Sequence, residues 1–260
     1  QLELKYFYKA NSGPGQTRNF GARKAAYDYI IFFDSDCLIP KHYFAHVEDA
    51  LRARYVDAFG GPDMAHRSFT PVQKAISYSM TSFFTTGGIR GGSEKVDTFY
   101  PRSFNMGLSR EVFQKTGGFS EMRFGEDLDL SMRILKNGFS TRLLREAYVF
   151  HKRRTDYRKF FRQVFNSGIA RINLNKRHPG TLKIVHTFPS LFLIGSGLLV
   201  VLTVWKFWFI LPLLFYALLV FADAAVRYSS VTVAAHAILA SFVQLFGYGA
   251  GFLNAFWKRV

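Results

Sequence analysis

The sequence is short of three things. It has a single cysteine, Cys37, so no disulfide can form within the chain, which fits a reducing compartment. It is short of acids: 18 Asp and Glu stand against 34 Lys and Arg, for a net charge of +16 at pH 7. Charge of either sign then nearly vanishes from residue 187 onward, where only Lys206, Asp223, Arg227, Lys258 and Arg259 carry it. The positive charge therefore belongs to the first part of the chain, where a basic face favours phosphates, anionic lipid or nucleic acid. Internal repeats and low-complexity segments are also missing. Apolar residues are plentiful at 49%, with 29 phenylalanines, which excludes a disordered chain and suffices for a sizeable core. At 260 residues the soft expectation is one domain of usual size plus something else.

The stretch that organises the rest is Phe32-Phe33-Asp34-Ser35-Asp36. Residues 30–33 are a continuous apolar run, the pattern of a buried and parallel strand. In open α/β sheets ligands gather beyond the carboxyl ends of strands. Asp34 and Asp36, two apart on extended chain, fall on one side of such a mouth. Two hard oxygen donors there suit Mg²⁺ or Mn²⁺. A plain strand-end turn also uses Asp and Ser. Cys37, next to Asp36, reads as a small buried residue rather than a nucleophile.

The chain before and after this stretch alternates strand and helix signals. Residues 2–8 are strand-like, residues 10–15 (ANSGPG) form a turn cluster, and a helix is expected over 16–26. Gly13, Gly15 and Gly21 permit close approach to a ligand, and Arg18 can bind phosphate, stack on a base or simply be solvated. A helix is expected over 40–54, a strand over 56–61 and a helix over 69–84. The glycine-rich run at 85–93 (TTGGIRGGS) reads as a mobile loop, either a cover for a site or plain surface. Residues 101–108 read as a strand in which Asn105 can bond a sugar hydroxyl or the backbone. A short helix at 110–116 is stopped by Gly117-Gly118. Glu126 and Asp127 open the next helix, where the dipole stabilises acids and where a general base could also sit. Residues 141–150 read as one strand ending at His151, a metal ligand or a surface histidine.

Residues 152–183 carry ten Lys and Arg against one acid, Asp156. Tyr157, Phe160, Phe161, Val164 and Phe165 recur at helical spacing, giving one apolar and one cationic face. That predicts a helix in a membrane interface against anionic headgroups. Residues 187–205, 207–222 and 228–257 contain no Lys, Arg, Asp or Glu. A spanning helix needs about 20 apolar residues, so two to three membrane helices are expected, with Trp205, Trp208 and Trp257 near their ends. The basic first part is expected to be cytoplasmic. Asp223 and Arg227 can pair at i, i+4, and Gly247-x-x-x-Gly251 can pack helices.

Placed together, these motifs resemble the family 2 glycosyltransferases, the large inverting group with a GT-A fold. The resemblance rests on Gly15-Gln16-Thr17-Arg18-Asn19-Phe20-Gly21, Phe33-Asp34-Ser35-Asp36, Asn105-Met106-Gly107, Gly117-Gly118-Phe119, and Gly125-Glu126-Asp127 with Arg133 following. It covers residues 2–151. The basic helix and apolar segments look like those of membrane-attached members. It implies an α/β GT-A domain over 1–151, a basic interfacial segment over 152–186 and a transmembrane region over 187–260. It also implies roles. Asp34 lies towards the nucleotide. Asp36 holds Mg²⁺ or Mn²⁺ on the diphosphate, with His151 completing the metal site. Arg18 and Asn19 help seat the nucleotide-sugar, and Asn105 belongs to the same pocket. Asp127 is the general base, with Glu126 the less favoured candidate.

Family members begin with further strands carrying nucleotide-binding acids, so the chain is expected to be a fragment lacking its first strands, with an exposed sheet edge. The Gln-x-x-Arg-Trp motif of processive synthases is not matched by Gln163-Val164-Phe165-Asn166. The expectation is transfer of one sugar to a hydroxyl of a lipid-linked or cell-surface glycan precursor, at the cytoplasmic face of the inner membrane. The competing expectation is a non-catalytic membrane or lipid-binding module that keeps the fold. A nucleic-acid binder is suggested by charge alone and opposed by the charge-free tail.

Overall fold

The computed structural model describes residues 3–86 and 99–258. In chain order the first elements are α1 (Pro14–Lys24), β1 (Tyr29–Phe33), β2 (Cys37–Leu38), α2 (Tyr43–Ala53), β3 (Ala58–Gly60) and β4 (Asp63–Met64). Then come α3 (Pro71–Thr81), α4 (Phe83–Thr86), β5 (Asn105–Ser109), α5 (Arg110–Thr116), α6 (Glu126–Lys136), β6 (Thr141–Leu143) and β7 (Val149–His151). The remainder is helical: α7 (Tyr157–Arg177), α8 (Phe188–Thr203), α9 (Leu211–Tyr228) and α10 (Val231–Trp257). The chain forms two compact units, residues 1–64 with 95–151, and residues 65–94 with 152–260. The stretch 1–151 expected as one domain is thus interrupted, and α3 packs with the C-terminal helices.

The first unit is a mixed α/β layer structure. Its main sheet runs β1-β5-β3-β6. β5 is antiparallel to both β1 and β3, and β3 is parallel to β6. The parallel pairing expected for β1 is corrected: its neighbour is antiparallel, in register from Tyr29 opposite Ser109 to Phe33 opposite Asn105. Its side chains alternate between two cores, as the period-2 geometry of a strand requires. Ile30 and Phe32 join Met106, Leu108, Val112, Leu130 and Ile134 on one face. Tyr29, Ile31 and Phe33 pack with Tyr43, Val47, Phe59 and Val149 on the other. A continuous apolar run therefore marks a strand covered on both faces, whatever its direction.

A second sheet, β2-β7-β4, is small and carries much of the site. The strand expected over 141–150 breaks in two at the turn after Leu144. β6 stays in the main sheet, while β7 turns away to pair antiparallel with β2 and parallel with β4. Residues 3–8, expected as a strand, take no regular structure, and Leu4, Tyr6 and Tyr8 are exposed. Of the glycine-rich loop, Thr85 and Thr86 end α4 and residues 87–93 lie outside the described residues.

The second unit is built on α10. Helix α3 starts at a capping box in which Thr70 and Gln73 bond each other's backbone N–H groups. Its Ala75, Ile76, Tyr78 and Met80 are buried against Val220, Ala224, Ala234 and Ala237. Helix α7 is amphipathic as expected, but the apolar face assigned to lipid packs largely within the protein: Phe160 and Val164 are buried. The reason is small residues. A side chain at Gly247 would meet Val164, one at Gly251 would overlap the backbone of Phe165, and one at Gly168 would overlap that of Tyr248. Three helical segments are long and apolar enough to cross a membrane: Ile184–Thr203, Phe207–Tyr228 and Val231–Trp257. Leu191, Ile194, Leu198, Leu214, Phe215 and Leu218 face outward. Arg227 bonds Asp223 at 3.0 Å, the i, i+4 pair expected, and Tyr78 donates to the other Asp223 oxygen at 2.7 Å.

Candidate active site

The first cluster joins the end of β1 to the start of α6. Arg18, on α1, reaches Asp34 just past β1 at 2.6 Å and Glu126 at the first turn of α6 at 2.9 Å. It also lies 5.5 Å from the ring centre of Phe119. α1 can come this close because residue 15 is glycine: a Cβ there would stand 2.9 Å from the Ser120 carbonyl. Arg18, expected to bind phosphate or stack on a base, is engaged by two carboxylates. Burial pushes the Glu126 carboxyl above the usual range and the Asp127 charge pushes it further, with Arg18 opposing both.

Gly125 caps α6 in the left-handed region, φ 81°, and directs Asp127 to a different partner. Arg102 Nε donates to Asp127 Oδ2 at 2.7 Å. Asp127 Oδ1 accepts from the backbone N–H of Leu128 at 2.8 Å. Burial alone would raise this carboxyl. The Arg102 guanidinium, the Leu128 N–H and the charge of Arg18 outweigh it and hold Asp127 below the ordinary carboxylate range. Arg133 on the same helix is structural: it pairs with Asp129 at 2.9 Å and bonds the Gly118 carbonyl at 2.7 Å, fastening α6 to the end of α5.

The second cluster sits on the small sheet. Cys37 stands opposite His151 in register, which brings Asp36 Oδ1 to 3.2 Å from His151 Nε2. Asp63, opposite Val149 in β4, places a carboxylate oxygen 3.9 Å from His151 Nδ1. Phe104 stacks on the imidazole at 5.1 Å. Asp36, Cys37 and His151 offer donor atoms within 4.8 Å of one another. Burial, then the charges of Asp34 and Asp36, push the Cys37 thiol up to about 12. The Asp36 carboxylate oxygen and the His151 imidazole nitrogen are donors suited to Mn²⁺ or Mg²⁺. The buried His151 Nδ1 has no hydrogen-bond partner. The residues present thus fit a divalent ion.

Two expected ligand contacts are engaged by the protein itself. Asn19 is buried, and its amide both donates to the Phe119 carbonyl and accepts from the Phe119 N–H, each at 2.8 Å. Asn105 is fully buried. It accepts from the Tyr43 hydroxyl at 2.6 Å and donates to the Ala147 carbonyl at 2.7 Å. Asn105 thus braces β5 against the turn that carries β7. Arg102 and Asp63 were not singled out from the sequence. Each is an isolated charged residue in a loop or two-residue strand, with no spacing signal, and only the fold brings it to the acids.

Residues 2–117 match the family model described as Glycosyl transferase family 2. No curated protein matches the chain in sequence. Among solved structures, mannosyltransferase PcManGT from Pyrobaculum calidifontis, in complex with GDP-Man and Mn²⁺, is similar with a TM-score of 0.53. The two share 15% sequence identity over 95% of this chain and 68% of that chain, a likeness of fold. Over residues 2–117 the chain is thus similar to glycosyl transferase family 2, and its mixed α/β fold is like that of the mannosyltransferase.

Proposed function

We propose that the chain transfers a single sugar, with inversion, from a nucleoside-diphosphate sugar to a hydroxyl acceptor at a membrane surface. The observation that carries this reading is the pair of acid clusters in one unit. Asp36 and His151 form a ligand pair 3.2 Å apart, and Asp127 is an ionised carboxylate on α6. Asp36 and His151 would hold a divalent ion, which supplies positive charge to offset that growing on the leaving diphosphate. Asp127 would take the proton of the acceptor hydroxyl. The hydroxyl oxygen bonds the anomeric carbon as the bond to the diphosphate oxygen breaks, and that electron pair leaves with the nucleoside diphosphate. Attack from the opposite face inverts the centre. Glu126 is the less favoured candidate for base, because its carboxylate is held by Arg18 at 2.9 Å.

Three apolar helices in the second unit support a membrane-bound acceptor, of which a lipid-linked or cell-surface glycan precursor is the class that fits. The positive charge outside those helices supports a cytoplasmic catalytic unit at the inner membrane. The alternative, a non-catalytic lipid-binding module, draws on Arg18 and Arg102 both being engaged by acids.

The test is nucleotide release from a panel of UDP- and GDP-sugars on membranes carrying the chain, with Mn²⁺, Mg²⁺ or EDTA. GDP-mannose with Mn²⁺, the pair held by the structural neighbour, is the first to try. Release that requires the metal and an acceptor supports the reading. Donor binding without transfer to any acceptor lipid supports the alternative.

A further inference from the structure

We propose that Arg102 is a donor-diphosphate ligand, held on Asp127 until the donor arrives and released from it by the donor. The inference rests on the glycosyl-transfer reading and adds a residue and an order of events to it.

The backbone at Arg102 is fixed. Its carbonyl accepts from the Asn105 N–H at 3.0 Å, and Asn105 is buried and doubly bonded. The side chain is not fixed to the same degree: it is 36% exposed, against 11% for Asp127. It touches Asp127 through Nε alone. The two Nη groups make no hydrogen bond among the described residues. A partly exposed guanidinium that hydrogen-bonds at one of its donors is suited to bidentate phosphate binding.

The position fits that use. Arg102 lies within electrostatic reach of Asp127, Glu126 and Asp63, and Asp63 in turn lies beside His151. Arg102 therefore feels both the candidate base and, through Asp63, the neighbourhood of the candidate metal ligands. A diphosphate held at Asp36 and His151 would offer anionic oxygens to the Nη groups.

The contact with Asp127 has a cost for the reaction. Of the two Asp127 oxygens, one accepts from the Leu128 N–H and the other from Arg102. Arg102 occupies one lone pair of Oδ2, and its charge lowers the basicity of the carboxylate. Moving Arg102 to the diphosphate frees that lone pair and raises the basicity, so the base is strongest once the donor is bound. Arg102 thus exchanges one anion for another, and its binding to Asp127 and to the donor must oppose each other reciprocally.

The experiment is a double-mutant cycle read by the dissociation constants of GDP and UDP with Mn²⁺, on the full chain in detergent. Wild type, R102M, D127N and R102M/D127N are compared. We expect R102M to weaken binding about 10-fold and D127N to tighten it several-fold. In the R102M background D127N should change nothing beyond about twofold, because no arginine is left to release. R102K, which keeps the charge without the fork, should fall between wild type and R102M, and it replaces R102M if that variant fails to fold. Equal tightening by D127N with and without Arg102 would mean simple charge removal and would overturn the exchange. So would wild-type affinity in R102M. If wild type binds neither nucleotide with Mn²⁺, the glycosyl-transfer reading falls and the exchange falls with it.

Discussion

Asp36 Oδ1 and His151 Nε2 stand 3.2 Å apart although 114 residues separate them, because Cys37 and His151 are paired in register across β2 and β7. Neither strand exceeds three residues. The approach depends on the Asn105 bonds that brace the preceding turn, and on Phe104 stacked over the imidazole.

Asp36→Asn removes one charged donor from this pair. Mn²⁺-dependent transfer should fall at least about 100-fold, the upper range for disturbing a metal site's supporting shell and a lower bound for a ligand itself. Transfer rate and bound Mn²⁺, measured by electron paramagnetic resonance, should drop together. An unchanged rate in saturating Mn²⁺ sinks the assignment.

Asp127→Asn should remove transfer while leaving nucleotide binding at least as tight as in the wild type. Loss of a general base costs typically ~10²–10⁴-fold in rate. Transfer assays and a nucleotide titration on the same sample separate the two effects. Weakened donor binding with transfer intact would show that Asp127 serves the donor instead.

The pH dependence follows from the sign of the Asp127 shift. Its folded value is depressed, so it stabilises the fold above the unfolded carboxyl pKa, and that stabilisation is lost as pH falls through the folded value. Arg102→Met removes the main opposing charge and leaves burial to act. The acid limb of kcat/KM, which reports the donor-free enzyme, should move to higher pH. The acid-induced fall in melting temperature should be smaller than in the wild type, because a carboxyl whose folded pKa is raised is favoured by protonation in the folded state. A pH–rate profile and melts between pH 7 and pH 3 check both, and coincident curves for the two proteins would refute the prediction.

Tyr78→Phe removes the hydroxyl that bonds Asp223 at 2.7 Å and leaves that oxygen unpaired on a helix of membrane-spanning character. The expected loss is about 1 kcal/mol, since such bonds within membranes are worth ~0.6–2 kcal/mol. Thermal unfolding in detergent reads it. Asp223→Asn in the Tyr78→Phe background should cost less than in the wild type, because the pair is already broken.

Two glycine substitutions should differ in sign. A Cβ at Gly251 would overlap the Phe165 backbone, whereas one at Gly195 meets nothing within 4 Å. Gly195→Ala should stabilise α8 by about 0.5–1 kcal/mol through helix propensity. Gly251→Ala should destabilise by about 1–3 kcal/mol, the range for overpacking. Melting temperatures of the two variants in one detergent make the comparison.

The parts legible in the sequence were those written in local periodicity. The apolar run before Asp34 marked β1, the uncharged stretches marked the helices of spanning length, and the i, i+4 spacing of Asp223 and Arg227 gave a pair that forms. The parts set by tertiary contacts were not legible. Alternating burial of Tyr29 to Phe33 on two faces looks the same for a parallel and an antiparallel partner. Asn19 and Asn105 have the chemistry to bind a nucleotide-sugar, and only the fold shows that both also bond the protein itself, at Phe119, Tyr43 and Ala147. Arg102 and Asp63 gain their meaning only from the acids and the histidine they meet. Helix α3 carries an apolar pattern that could cover a sheet as well as another helix.

That helix has a consequence for how the protein can be cut and made. Tyr78 and Asp223 are 145 residues apart, so α3 waits for its partner while the α/β unit around it is synthesised. During that interval its Ile76 and Met80 lack the cover they have in the folded protein. A soluble version ending at residue 151 would keep this orphan and should aggregate. Replacing residues 65–94 with a short polar loop as well should give a catalytic unit that stays in solution. The dissection runs along three breaks in the chain rather than one.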